Sequence, residues 1–193
     1  KTVIIKDKLT HIGPSAFENC TSLETVQIGN GVTLIDKFAF NNCTSLKNLT
    51  FGNKVQTIEM YAFKNCSALA SITLSKGMTT IGNGVFQNCT ALTSVTIPAN
   101  VTATDILYSA ESYVPFSGCN KLTTIEFAEG ATIIPEDLCS YIPALENVII
   151  PSTVKTIEED AFRESTGLES ISLPSSLITI EESAFEGCSG LKA

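Results

Sequence analysis

The sequence predicts a repeat solenoid, in which short parallel strands stack rung on rung along one axis with turns between them. Three observations carry this. Leucine recurs at Leu23, Leu46, Leu69, Leu92, Leu122, Leu145, Leu168 and Leu191, at six intervals of 23 residues and one of 30. Aligned on those leucines the unit reads I-x-x-x-A-F-x-x-C-x-x-L-x-x-V-x-I, with phenylalanine at Phe17, Phe40, Phe63, Phe86, Phe116, Phe162 and Phe185. After each leucine, apolar and polar residues alternate. A fixed period of this length marks stacked units, none of which can bury its apolar face alone.

The strand comes first in each unit. Val26 and Ile28 alternate with Thr25 and Gln27, the period-2 pattern of a strand with one buried face. The pattern returns at Val3/Ile5, Leu49/Phe51, Ile72/Leu74, Val95/Ile97, Ile125/Phe127, Val148/Ile150 and Ile171/Leu173, so eight strands are expected. At ~4.8 Å per strand the sheet extends roughly 35 to 40 Å. Turns follow at Gly29-Asn30-Gly31, Gly52-Asn53, Ser75-Lys76-Gly77, Pro98, Pro151-Ser152 and Pro174-Ser175, after which the chain re-enters an extended segment such as Val55-Gln56-Thr57-Ile58. The A-F-x-N-C-T-S-L segment has room for a turn or so of helix. Its alanine and phenylalanine are expected inside, the rings forming a spine in which each contributes about 2 to 3 kcal/mol by burial.

Two departures interrupt the pattern. Seven extra residues enter between Val101 and Phe116, within Asp105 to Tyr113, and are expected to form a bulged loop on one edge. In one rung Leu138 takes the alanine slot, Cys139 the phenylalanine slot and Ile142 the cysteine slot. The chain begins on a strand at Val3-Ile4-Ile5 and stops at Leu191-Lys192-Ala193 as another starts. Residues 1–193 therefore read as one solenoid domain of about eight 23-residue repeats, expected to be a fragment of a longer protein with fraying or self-associating ends.

The segments Ile58-Glu59-Met60-Tyr61-Ala62-Phe63-Lys64-Asn65-Cys66-Ser67-Ala68-Leu69 and Ile180-Glu181-Glu182-Ser183-Ala184-Phe185-Glu186-Gly187-Cys188-Ser189-Gly190-Leu191 resemble the BspA-like leucine-rich repeat, and the resemblance covers the whole chain. With the periodicity it gives the expected fold, a right-handed leucine-rich-repeat β-solenoid with short parallel strands and short helical turns. The resemblance implies a bacterial, less often protist, surface or secreted protein acting in adhesion or in contacts with host components. Such repeats vary in partner, so a protein or a glycan is expected without a particular ligand.

Charge narrows the partners. The net charge of −8 disfavours nucleic acid, whose phosphates need clustered lysine and arginine. Residues 1–96 hold eight lysines against five acids, net +3, and residues 97–193 hold four basic against fifteen acidic residues, net −11. In a rod that asymmetry is a lengthwise dipole, and solubility with drift among repeats is the favoured reading of it. No apolar run approaches the ~20 residues of a membrane span, and Lys1-Thr2-Val3-Ile4-Ile5 fits the repeat instead of a signal peptide.

Catalytic chemistry finds little support. Cys20, Cys43, Cys66, Cys89, Cys119 and Cys188 share one slot, which Ser165 and Ile142 fill elsewhere, so they read as a column of buried, reduced thiols. A disulfide between adjacent rungs is the less favoured alternative. A single histidine, His11, and the absence of any C-x-x-C pair argue against zinc. Glu136-Asp137, Glu158-Glu159-Asp160 and Glu181-Glu182 lie at matching offsets and form an acidic edge, read as solvated before it is read as a weak calcium site. Phosphate loops and nucleophile elbows are absent. The expected protein is not an enzyme and holds no cofactor.

Two surfaces remain as binding candidates. Outward strand residues form two polar columns, one headed by Thr25 and one by Gln27. Aromatics outside the core slots are more informative: Phe38 and Tyr61 share an offset just before the alanine slot, where other rungs carry Ser15, Gly84, Asp137, Asp160 and Ser183, and the insertion adds Tyr108 and Tyr113 to that edge. Phe38, Tyr61, Tyr108 and Tyr113 are the expected ligand-binding residues, because clustered aromatics are the usual anchors of an interface.

Overall fold

The structure, a computed structural model, describes residues 1–105 and 113–192. Within them the strands are β1 (Thr2–Ile5), β2 (His11–Ile12), β3 (Thr25–Ile28), β4 (Leu34–Ile35), β5 (Asn48–Thr50), β6 (Thr57–Ile58), β7 (Ser71–Thr73) and β8 (Thr80–Gly82). They continue with β9 (Ser94–Ile97), β10 (Ala103–Asp105), β11 (Thr124–Phe127), β12 (Ile133–Ile134), β13 (Asn147–Ile149), β14 (Thr156–Ile157) and β15 (Thr179–Ile180). β-Branched residues dominate these segments, as half-buried pleated surfaces favour.

The strands stack in parallel on two faces of a parallel-strand solenoid. One face holds sheets β1-β3-β5 and β7-β9-β11-β13, the other β2-β4-β6-β8-β10 and β12-β14-β15. Each step of register is one repeat, so Thr25 lies beside Asn48 and Ser71 beside Ser94. Across the longer interval Ser94 still pairs with Thr124. The extra residues therefore leave the first face undisturbed. Val26, Leu49, Ile72, Val95 and Ile125 point inward from that face and Ile35, Ile58, Ile81 and Ile134 from the other, all buried. Between them the rings from Phe17 to Phe116 stack in parallel at 5.0, 5.1, 5.6 and 5.6 Å, and Phe162 stacks on Phe185 at 5.1 Å.

Of the eight expected first-face strands, the one at Ile171/Leu173 does not form. Ile171 is only half-buried there and Leu173 is exposed, so burial does not hold this segment against β13. Glu169 accepts the Lys192 Nζ at 2.6 Å, and a cleft of about 580 Å³ opens between this coil and the one before it.

The expected short helical turns are absent too, since the described residues contain no helix. The A-F segments make two tight turns because two residues adopt positive φ, Phe38 at 58° and Asn42 at 60°, Tyr61 at 58° and Asn65 at 61°, the fifth coil excepted, where Gly118 alone does so. A left-handed residue terminates a helix. Asn41 N–H donates back to the Phe38 carbonyl at 3.0 Å and Cys43 N–H to the Phe40 carbonyl at 3.3 Å. The intervening groups reach the next coil: Phe38 N–H to Met60, Phe40 to Ala62 and Asn42 to Lys64, at 3.1, 2.7 and 2.9 Å.

All seven cysteines are free thiols and six are buried, while Cys20 in the first coil is exposed. The slot does more than fill space. Cys43, Cys66, Cys89, Cys119 and Cys188 donate to the carbonyls of Phe17, Phe40, Phe63, Phe86 and Phe162 of the preceding coil at 3.0 to 3.4 Å. Ser165 Oγ does the same to the Cys139 carbonyl at 2.7 Å.

The fifth and sixth coils are joined differently from the rest. β10 and β12 belong to different sheets, and Cys139 follows Phe116 in the ring column. Among the described residues, no turn-segment N–H between Val114 and Gly118 reaches the sixth coil. What connects the pair is the four-residue β9–β11 ladder, with Thr104 Oγ1 donating to the Glu136 carbonyl at 2.7 Å.

Burial pushes the Cys43 and Cys119 thiols up to about 12. The unfolded chain loses those protons near the ordinary 9.0, so this contribution is complete below that pH and declines as pH rises towards 12. Denaturant melts of the wild type are expected to show the decline. In the Cys43→Ser/Cys119→Ser double variant the decline should be shallower, with stability near neutral pH within ~1 to 2 kcal/mol of the wild type because serine can donate the same bond, as Ser165 does.

Candidate functional site

The aromatic edge lies on the turn segments, at the first left-handed position of each coil. Ser15, Phe38, Tyr61, Gly84, Asp137, Asp160 and Ser183 all take φ between 52° and 58° there. Serine, glycine and aspartate tolerate or favour such positions, whereas a bulky aromatic does not. In the fifth coil the slot falls to Val114, where the following Pro115 disfavours a helical backbone.

Three of the four expected residues come together. The Phe38 and Tyr61 rings lie 5.5 Å apart, tilted by 41°, and the Lys64 ammonium sits 4.4 Å from the Tyr61 ring centroid. On the far side, Tyr61 extends over Gly84, where an added Cβ would collide with Cδ1 and Cε1 of the ring. Gly84 N–H in turn donates to the Tyr113 carbonyl at 2.7 Å. Burial, then the neighbouring Tyr113, raises the Tyr61 phenol above its ordinary value and keeps it neutral. The three side chains are half-buried instead of fully exposed, Phe38 leaning on Tyr61 and Tyr61 on Gly84 of the adjoining coils. Tyr108 and most of the expected bulged loop, residues 106–112, lie outside the described residues.

A second left-handed column, four residues along, carries a feature not anticipated from the sequence. Asn42 Nδ2 donates to Asn19 Oδ1 at 2.9 Å, Asn65 to Asn42 at 2.7 Å and Asn88 to Asn65 at 3.0 Å. This amide ladder ends at Gly118, whose missing side chain leaves room for the Asn88 amide. The recurrence of Asn, the residue most tolerant of positive φ after glycine, was the available signal.

The acidic edge is also assembled. Glu136, Glu158, Glu159, Glu181 and Glu182 line a cleft of about 430 Å³ with Thr156. Burial, and then Asp137, Glu159, Glu158 and Asp160, raise the Glu136 carboxyl. The two buried aspartates behind it are occupied: Asp137 accepts from Ser140 Oγ at 2.9 Å and Asp160 pairs with Arg163 at 3.2 Å. No group of three or more His, Cys, Asp or Glu among the described residues is placed to hold a metal ion. The strand columns headed by Thr25 and Gln27 keep their expected register within β3–β5 and β7–β13, and stop short of Ser170 and Ser172, where no first-face strand forms. No helix among the described residues is long and apolar enough to cross a membrane.

Parallel coils with one leucine, one phenylalanine and one donor slot per 23 residues define a leucine-rich repeat solenoid. The chain belongs to the BspA type leucine-rich repeat family, whose model matches residues 1–113 and 104–193 with six copies. Among solved structures it is similar to a leucine-rich repeat protein of T. pallidum, 21% identical over 99% of this chain and 78% of that one, with a TM-score of 0.68. That likeness bears on the fold. Weaker similarity extends to a leucine-rich cell surface protein of Faecalibacterium prausnitzii, at 22% identity, 100% and 78% coverage and a TM-score of 0.40. The pneumococcal vaccine antigen PcpA gives 19% identity, 99% and 60% coverage and a TM-score of 0.46. Comparison with curated protein sequences gave no match.

Gly84→Ala tests how the ledge is built. It is expected to cost about 2 to 3 kcal/mol in the wild type, from left-handed strain plus the collision with Tyr61, and about 1 kcal/mol in a Tyr61→Ser background, where only the strain is left. Urea unfolding of the four proteins in the cycle measures the difference; equal costs in both backgrounds would mean that Gly84 does not position the ring.

Proposed function

We propose that the chain is a noncatalytic binding module of a bacterial surface or secreted protein, recognising a protein or glycan through the ledge formed by Phe38, Tyr61 and Tyr113. One observation carries this reading. Phe38 and Tyr61 hold a backbone conformation that disfavours them, at a slot where other coils use serine, glycine or aspartate. They also lie outside the phenylalanine column that fills the core. Strain of about 1 to 3 kcal/mol, retained where neither local preference nor core packing asks for it, points to a role outside folding. The surface location rests on the family, and net charge supports the exclusion of nucleic acid. A stiff spacer, or an accessory module of a carbohydrate-active enzyme, is the alternative role for the same rod.

The test is a combined array of extracellular-matrix proteins and glycans, probed with the wild type and with Phe38→Ser, Tyr61→Ser and Tyr113→Ser. A partner is expected on the array, with affinity weakened by at least ~1 to 2 kcal/mol in the most affected variant and melting temperature nearly unchanged. Phe63→Ala, within the ring stack, should do the opposite and lower stability by ~3 to 5 kcal/mol. Binding that survives all three surface changes would move the site to the strand columns headed by Thr25 and Gln27.

A further inference from the structure

We infer that the ledge takes an uncharged glycan chain laid along the rod axis. This narrows the binding reading above and rests on it. One face of a pyranose ring presents C–H bonds and its edge presents hydroxyls, so it asks for an aromatic surface beside groups that both donate and accept. Phe38 and Tyr61 supply the first, the space left at Gly84 holds Tyr61 in place, and the Lys64 ammonium over the Tyr61 ring has to swing aside as a sugar enters.

The amide ladder supplies the second. Asn42 and Asn65 each spend one N–H and one oxygen lone pair on their ladder neighbours. Each amide therefore keeps one donor and one acceptor, the combination that a hydroxyl matches. These paired groups recur once per coil, about 4.8 Å apart, a spacing comparable to one sugar residue of an extended chain.

Charge favours a neutral ligand over an acidic one. Asp36, Lys37, Glu59 and Lys64, the charged residues within three positions of Phe38 and Tyr61, are two of each sign, and Tyr113 adds Glu111 in the sequence. An anionic polymer would gain no net attraction there. Nor is there an open strand edge along the joined coils beside the ledge for an extended peptide to pair with, since the turn segments bond directly to one another at Phe38, Phe40 and Asn42.

The experiment is affinity electrophoresis of the chain through gels holding a neutral β-glucan, mannan, galactan or xylan, with polygalacturonate as the acidic comparison. At least one neutral polysaccharide should retard the wild type. The apparent dissociation constant should rise about tenfold in Tyr61→Ala and severalfold in Asn65→Gly, a change that tolerates the left-handed backbone. Thermal melts of both variants establish that they remain folded. Retardation by none of the neutral polymers, by polygalacturonate alone, or undiminished in Tyr61→Ala and Asn65→Gly, overturns the inference. If the ledge instead binds a protein on the array through Phe38 or Tyr61, the binding reading stands and the glycan assignment falls.

Discussion

The hydrogen bonds that hold each coil are made a full repeat away, and almost every other property of the molecule follows from that. Phe40 N–H is satisfied by Ala62, Asn42 by Lys64, and the Cys66 thiol by Phe40. A coil in isolation would leave these groups unpaired as well as its apolar face exposed, and unpaired buried donors cost as much as a bond lost. The demand recurs at each level except the junction of the fifth and sixth coils. It therefore constrains the same offsets from repeat to repeat, and the 23-residue period is the imprint of that constraint.

This explains why some of the architecture was legible and some was not. The leucine interval and the Val26/Ile28 alternation specify register, and a one-repeat step is the only one that keeps Val26, Leu49 and Ile72 inside together. The ring column was legible for the same reason, since no other layer accommodates Phe40 and Phe63 at each repeat. The left-handed turns were not, because conformation at Phe38 or Tyr61 cannot be inferred from an aromatic that normally avoids it. Only the asparagines at Asn19, Asn42, Asn65 and Asn88 and the glycines at Gly118 and Gly187 gave it away. The missing strand at Ile171/Leu173 shows the opposite limit: a correct apolar pattern does not make a strand where its residues stay partly exposed, as Leu173 does.

The candidate site follows the same division. Sequence alone picked out Phe38, Tyr61 and Tyr113 because they depart from the repeat, and the fold brings them to one edge. It could not indicate that Tyr61 reaches forward onto Gly84, or that the ladder of amides runs along the same turn segments. Both depend on what the next coil places underneath. Farther along the rod the aromatic slot is taken by Asp137 and Asp160, which turn inward to Ser140 and Arg163 and leave the surface to glutamates. One backbone position thus serves an aromatic ledge at one end and the support of an acidic edge at the other.

The junction between the fifth and sixth coils has a mechanical consequence. Elsewhere in the described rod most neighbouring coils are bonded on three sides, which resists bending in every direction. Here, among the described residues, the second-face strands share no ladder and the turn segments no backbone bond, so β9–β11 remains as the continuous seam, with the Thr104–Glu136 bond beside it. A rod fastened along one line behaves as two stiff plates on a piano hinge, able to open about that line while resisting twist across it. The softest bending direction of this molecule is therefore set by where the seven added residues enter, and it would tilt the aromatic and acidic ends relative to each other without disturbing the packing inside either.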